Sequence, residues 1–157
     1  MGGTEIAIAR VLISTHGHAT EDIDKVKQAI MNILPLSLRN RISIVEETTV
    51  GYYGNPIVRL KVVLEGDDAV DFVKNMFNLM SEGDKNVLLS TLDSRYNRKS
   101  NEIYIRLSKQ DAYLGSATLY DGDDAIKIVI TFAYKRSSKD VRKLIEDLIK
   151  GSTNNAS

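Results

Sequence analysis

His16 and His18 flank Gly17 and are the chain's only two histidines. On an extended strand this spacing turns both imidazoles to one side, where they could chelate a metal or supply a general base. The chain has no Cys, so carboxylates would have to complete any metal shell. Hydrogen bonding at a strand end explains the same pair without a metal. Acidic residues gather at Asp67-Asp68 and at Asp121-Gly122-Asp123-Asp124, a chemistry that holds Mg²⁺ in phosphoryl-transfer enzymes. Each group also falls where a helix needs a cap or a turn needs Asp and Gly. The calcium-loop spacing, the nucleophile elbow, the Walker loop and the dinucleotide fingerprint are all absent. No catalytic residue, metal ligand or cofactor is assigned, and a non-enzymatic binding protein is the expectation. A metal-dependent hydrolase using His16, His18 and nearby carboxylates is the third-ranked alternative.

Binding chemistry is easier to place. Arg59, Lys61, Tyr104, Arg106, Lys127 and Thr131 occupy the alternate positions of strands whose other residues are apolar. Their cations could meet phosphates and the ring could stack on an unpaired base. Val45, Val63 and Val129 share that phase, so a plain solvated face and a dimer surface compete with an RNA surface. The loop Gly51-Tyr52-Tyr53-Gly54-Asn55-Pro56 offers backbone N–H groups and rings, with Tyr53 and Asn55 as candidate contacts. A wide hairpin loop is the plainer account of its Gly, Asn and Pro. Lys109-Gln110-Asp111-Ala112-Tyr113-Leu114-Gly115 could hold a phosphate and a base through Lys109, Gln110 and Tyr113, or simply cap a short helix. Two basic clusters, Arg95-Tyr96-Asn97-Arg98-Lys99 and Lys135-Arg136-Ser137-Ser138-Lys139, fall on loops. Arg95, Arg98 and Lys99 complete the candidate set.

The elements that must position these residues follow from hydrophobic period. Glu5–Ser14 reads as an interior strand, with Ala7, Ala9, Val11 and Ile13 on one face and Ile6, Ile8 and Leu12 on the other. Thr20 is the expected cap of a helix carrying Ile23, Val26, Ile30 and Ile33, ended by Pro35. Strands follow at Arg41–Val50 and Ile57–Leu64. A helix capped by Asp67 or Asp68 carries Val70, Val73, Phe77 and Met80. Ser81-Glu82-Gly83-Asp84 opens another, expected to bury Val87, Leu88 and Leu92. Glu102–Leu107 is a strand, and Ser108–Leu114 is read as one helical turn closed by Gly115. Ser116–Tyr120 and Ala125–Tyr134 are expected to form a hairpin around the Asp-Gly turn. A final helix carries Val141, Leu144, Ile145, Leu148 and Ile149.

The order β-α-β-β-α-α-β-β-β-α predicts an α+β fold, an antiparallel sheet with helices packed on one face. One domain is expected over 1–150, with a disordered tail at 151–157. The 157 residues are 43% hydrophobic and 27% charged, enough to bury a core without staples. Lys and Arg number 21 and Asp and Glu 21. With formal charge balanced, the whole field cannot attract a polyanion, and any nucleic-acid contact must be a local patch. The first residues do not read as a signal peptide, and no apolar run reaches the roughly 18 residues of a membrane helix.

Three segments together resemble a small archaeal family: His18-Ala19-Thr20-Glu21-Asp22, Gly51-x-Tyr53-Gly54-Asn55-Pro56-Ile57 and Lys109-Gln110-x-Ala112-Tyr113-Leu114-Gly115. That family comprises predicted RNA-binding proteins associated with the exosome, the RNA-degrading complex. The resemblance spans nearly the whole chain and implies a fold similar to the 5S rRNA-binding ribosomal protein. It also implies a cytoplasmic protein with RNA as partner, linked to RNA processing or decay through an exosome- or ribosome-related assembly. A homodimer or other protein–protein module is the second reading, and no membrane partner is expected. Tyr52 departs from the family pattern, where His is expected. Ser108 and Asp111 depart from it too, and Asp111 places negative charge beside Lys109.

Overall fold

The computed structural model describes residues 7–18, 20–134 and 137–156, with side chains described as far as 151. The predicted strand start at Glu5-Ile6, Ala19 of the first motif, Lys135-Arg136 of the last basic cluster, and Ser157 lie outside the described residues.

Among the described residues, thirteen elements follow one another: β1 Ile8–His18, α1 Ile23–Ile33, α2 Leu36–Arg39, β2 Val45–Val50, β3 Pro56–Glu65, α3 Asp67–Leu79, α4 Glu82–Ser90, α5 Leu92–Arg95, β4 Tyr96–Asn97, β5 Glu102–Ser108, α6 Lys109–Tyr113, β6 Ala125–Phe132 and α7 Ser138–Ala156. The strands form a six-stranded sheet in the order β2-β3-β1-β6-β5-β4. Every neighbouring pair is antiparallel, so the α+β expectation holds.

Alternation sorts β1, β3, β5 and β6 into a core face and an open face, while every residue of the edge strand β2 is exposed. Leu60, Val62 and Leu64 of β3, Ile103, Ile105 and Leu107 of β5, and Ile126, Ile128, Ile130 and Phe132 of β6 are all buried. Val26, Ile30 and Ile33 of α1, Val70, Val73 and Phe77 of α3, and Val141, Leu144 and Ile145 of α7 join them in one continuous core. Burying such a side chain contributes about 1.5–3 kcal/mol, and the helices gain it only on the side facing the sheet. The Cβ of an alanine at position 17 would run into the Ile23 side chain. Glycine at the end of β1 therefore lets α1 pack closely there.

Several local expectations change. β1 carries a bulge, because Ile8 pairs with Phe132 while Arg10 pairs with Thr131. The extra residue shifts the alternation by one, so Ile8 is buried and Ala9 is exposed. Asp22 rather than Thr20 caps α1, accepting from the Asp24 N–H. Gly66 precedes α3, leaving Asp67 and Asp68 in its first turn, where they complement the helix dipole. Ser81 does cap α4, accepting from the Asp84 N–H, but Val87 is 46% exposed.

The predicted hairpin between Ser116–Tyr120 and the last strand is not formed. Ser108 N–H donates to Thr118 O and Tyr120 N–H to Arg106 O, so this segment borders β5 on the side away from β6. Its own backbone is shared out, Ala117 N–H donating to Leu79 O and Leu119 N–H to the Asp84 carboxylate. Asp121–Asp124 therefore passes over the end of β5 instead of reversing a hairpin. The helix α7 continues through Gly151 to Ala156, across the stretch read from the sequence as a tail.

Candidate nucleic-acid interface

Strand register decides which charges meet on the open face. Lys61 pairs with Ser14, Ser14 with Lys127, and Lys127 with Arg106. One cross-strand row thus carries three cations across β3, β1, β6 and β5. With strands about 4.8 Å apart, the row spans roughly 14 Å. In the next row Arg59 pairs with His16. Arg59 Nε donates to His16 Nε2 at 3.4 Å, which requires an unprotonated acceptor nitrogen. Burial first, and then the charges of Arg59, Lys127, His18 and Lys109, push the His16 pKa below its ordinary value.

Among the described residues, Arg59, Lys61 and Lys127 have no carboxylate within ion-pair distance. Glu47 pairs with Arg59 in the register but does not reach its guanidinium. Arg106 is the exception, 3.7 Å from Asp123, and its Nε is buried without an acceptor. The opposite end of the face carries Glu65, Arg10, Thr131 and Glu102 in one row. There Glu102 accepts from Tyr104 OH at 2.8 Å and Thr131 Oγ1 at 3.1 Å. Tyr104 is thereby tethered on the open face, beside an apolar row made by Val63, Leu12 and Val129.

Lys109 belongs to a different construction. Its ammonium donates to His16 O at 2.7 Å, to Asp124 at 2.6 Å and to Glu21 at 3.2 and 3.3 Å. Only 7% of the residue is exposed. Glu21 also accepts from the His18 N–H at 3.0 Å, so one lysine ties α6, the end of β1, the approach to α1 and the Asp121–Asp124 turn together. The donors of Lys109, expected from the sequence to meet a phosphate, are thus taken up within the protein. His18, Glu21 and Asp124 are the described residues whose ligand atoms converge, within 4.8 Å. The Lys109 ammonium is already shared between the two carboxylates of that set, and His16 is not part of it.

Other candidates are dispersed. Tyr113 is half-exposed, with Lys25 Nζ 6.0 Å from its ring centroid. Together with Gln110 it lines a cavity of about 220 Å³ against α1, which no member of the cation row borders. Arg95 donates to Thr91 Oγ1 at 2.8 Å and lies on the helices. Arg98 and Lys99 are exposed in the β4–β5 turn, beside the acidic end of the face.

The Gly51–Pro56 loop does reach the cationic end, because Ile57 at its base pairs with His18. Gly51 N–H donates to Asn55 O at 2.7 Å and Gly54 N–H to Gly51 O at 2.9 Å. Gly54 sits at φ 84°, a left-handed conformation that glycine takes without strain. Tyr52 and Tyr53 are 95% and 88% exposed and meet edge to face at 5.0 Å. A cavity of about 250 Å³ beside them is lined by His18, Thr20, Asn55 and Ile57. A second, of about 370 Å³, shares His18 and Ile57 and extends to His16 and Lys127. The sequence reading weighed a metal or base role for His16 and His18 against strand-end hydrogen bonding, assigned them none, and passed over Ser14. Polar residues alternating through Ser14, His16 and His18 were the signal that β1 contributes to the open face.

A family model described as RNA binding matches residues 10–132. An uncharacterised protein of Methanocaldococcus jannaschii is 34% identical over 86% of this chain and 93% of its own length. A Pyrococcus abyssi protein named as RNA-binding is 29% identical, covering 90% of this chain and 93% of its own. Among solved structures, a DUF54 protein of Archaeoglobus fulgidus superposes with a TM-score of 0.76 at 33% identity, over 90% of this chain and 99% of that one. No helix among the described residues is long and apolar enough to cross a membrane. The match across most of its length places the chain in this RNA-binding family.

Proposed function

We propose that the chain is a non-enzymatic RNA-binding accessory protein whose contact surface is the open sheet face at the end of β1. The observation that carries this is the row Lys61, Ser14, Lys127 and Arg106 with Arg59 and His16 alongside. Formal charge is balanced overall, yet these cations lie together with few acidic partners, which makes a local site for phosphates. Tyr104 on the same face offers a ring for stacking. Membership of an RNA-binding family and the name of the Pyrococcus relative support RNA as the partner. The resemblance of the three motifs to an exosome-associated family supports a cytoplasmic role in RNA processing or decay, beside an exosome- or ribosome-related assembly.

Filter binding to structured and single-stranded RNA at ~50 and ~200 mM salt tests the reading. Four phosphate contacts give a slope of log affinity against log salt of about −3. An Arg59→Ala/Lys61→Ala/Lys127→Ala protein should lose most of that slope. Absence of binding at low salt, or a slope unmoved by the triple change, refutes it.

A homodimer is the second reading, favoured by the apolar row of Val63, Leu12, Val129 and Tyr104 on the same face. Sedimentation equilibrium decides it: a dimer that Val63→Glu converts to monomer supports the pairing, and a monomer throughout rejects it.

A further inference from the structure

The cavity under the Tyr52–Tyr53 loop plays no part in the phosphate row, yet it opens toward it through the shared residues His18 and Ile57. Its volume of about 250 Å³ falls just below the roughly 300–1,000 Å³ of pockets for drug-sized ligands, so its scale is one planar heterocycle. The lining suits that occupant. Ile57 is an apolar floor, the tyrosines form an aromatic wall, and Asn55 carries a donor and an acceptor on one amide.

Two features separate this loop from an ordinary hairpin connection. Both rings stand almost fully in solvent, although aromatic side chains of this size usually bury most of their area. The edge-to-face contact at 78° braces one ring with the other and leaves faces for a third. The loop is also closed on itself by the Gly51–Asn55 and Gly51–Gly54 bonds. A Cβ at position 51 would lie 3.0 Å from Ile57 Cδ1 and 3.1 Å from Asn55 O, so glycine keeps the loop low over the floor. Such a preformed wall lowers the ordering cost of binding.

Given the RNA-binding reading above, on which this inference rests, we propose that the pocket takes one unpaired base of the bound strand and that the ligand is single-stranded RNA. The base stacks on a tyrosine ring with its polar edge toward Asn55, Thr20 and His18. The adjoining phosphates run on to Arg59 and Lys127 through the second cavity, which His16 and Lys127 line. Asp123 and Asp124 also border that cavity. Asp124 shares the Lys109 ammonium with Glu21, and Asp123 lies 3.7 Å from Arg106, so each has a cation within ion-pair distance. A continuous duplex does not fit, because its bases are stacked inside and cannot reach a pocket at the sheet's end.

Fluorescence anisotropy on a labelled single strand and a blunt duplex of equal length tests this. Three proteins are compared: the natural chain, Tyr52→Ala/Tyr53→Ala and Tyr52→Phe/Tyr53→Phe. The alanine protein should bind the single strand on the order of tenfold more weakly and the duplex as the natural chain does. The phenylalanine protein should retain single-strand binding, since the rings remain. Circular dichroism checks that all three fold alike, as expected for side chains so exposed. Unchanged single-strand affinity in the alanine protein, or equal losses on both RNAs, overturns the pocket while RNA binding stands. If the natural chain binds neither RNA, both readings fall together.

Discussion

Lys109 and Lys127 line the same cavity and both act on His16, yet they do opposite things. Lys109 is 7% exposed, with two carboxylates and a carbonyl around its ammonium. Lys127 is exposed and has no ion-pair partner among the described residues. A buried charge persists only when its donors are satisfied, so Lys109 holds the end of β1 in place. An exposed charge without a partner contributes nothing to the fold and is available to a phosphate. Burial with partners marks structure; exposure without them marks a surface for something else.

Removing each lysine tests that contrast. Lys109→Met strips the counter-charge from Glu21 and Asp124 and should cost about 3 kcal/mol, the low end for breaking a buried pair, because both carboxylates keep some solvent. Urea denaturation reads this, and a loss under about 0.5 kcal/mol would mean that Lys109 is another surface charge. Lys127→Ala with Arg59→Ala should leave stability within about 0.5 kcal/mol and weaken RNA binding instead. The salt slope on a single strand should shrink by about 1.4 for two lost phosphate contacts. Asp123→Asn sharpens the comparison, since Arg106 is the row member with a carboxylate nearby. Freed of it, the row should bind RNA up to about fivefold more tightly, within the range of an exposed pair.

The smallest effect is the proton of His16. Its folded pKa lies below the ordinary value, so as pH falls the unfolded chain takes up this proton first. The His16 contribution is therefore fully present above roughly pH 6.5 and is lost as pH drops below it, by the linkage of proton uptake to unfolding. His16→Asn should flatten that part of the stability profile. Bound phosphate acts in the opposite sense, favouring the imidazolium beside Arg59 and Lys127. RNA affinity should thus rise as pH falls from about 7.5 to 5.5, by less than tenfold, and the rise should vanish in His16→Asn.

Particular residues show what could be read early. The alternation in Val58–Leu64, Ile103–Leu107 and Ile126–Phe132 named the core faces, because a period of two leaves little freedom once one face is buried. The same alternation put Arg59, Lys61, Arg106 and Lys127 on one surface before any strand order was known. The Asp-Gly turn misled, since turn chemistry says that a chain reverses but not which strand receives it. The β1 bulge was illegible for a similar reason: it exists only relative to the partner strand. Lys109 stands between Ser108 and Gln110, a polar setting that gives no sign of burial, and its burial comes from Glu21 and Asp124, 88 and 15 residues away.

Local pattern by itself determined the class of fold, the buried face of each element and the pool of exposed cations and tyrosines, because those follow from side-chain period and propensity. Tertiary structure alone decided that Lys61, Lys127 and Arg106 share a row, that Arg59 meets His16, and that the Tyr52–Tyr53 loop closes on the end of β1. Such proximities depend on strand order and register, which arise from long-range pairing that no short stretch of sequence contains.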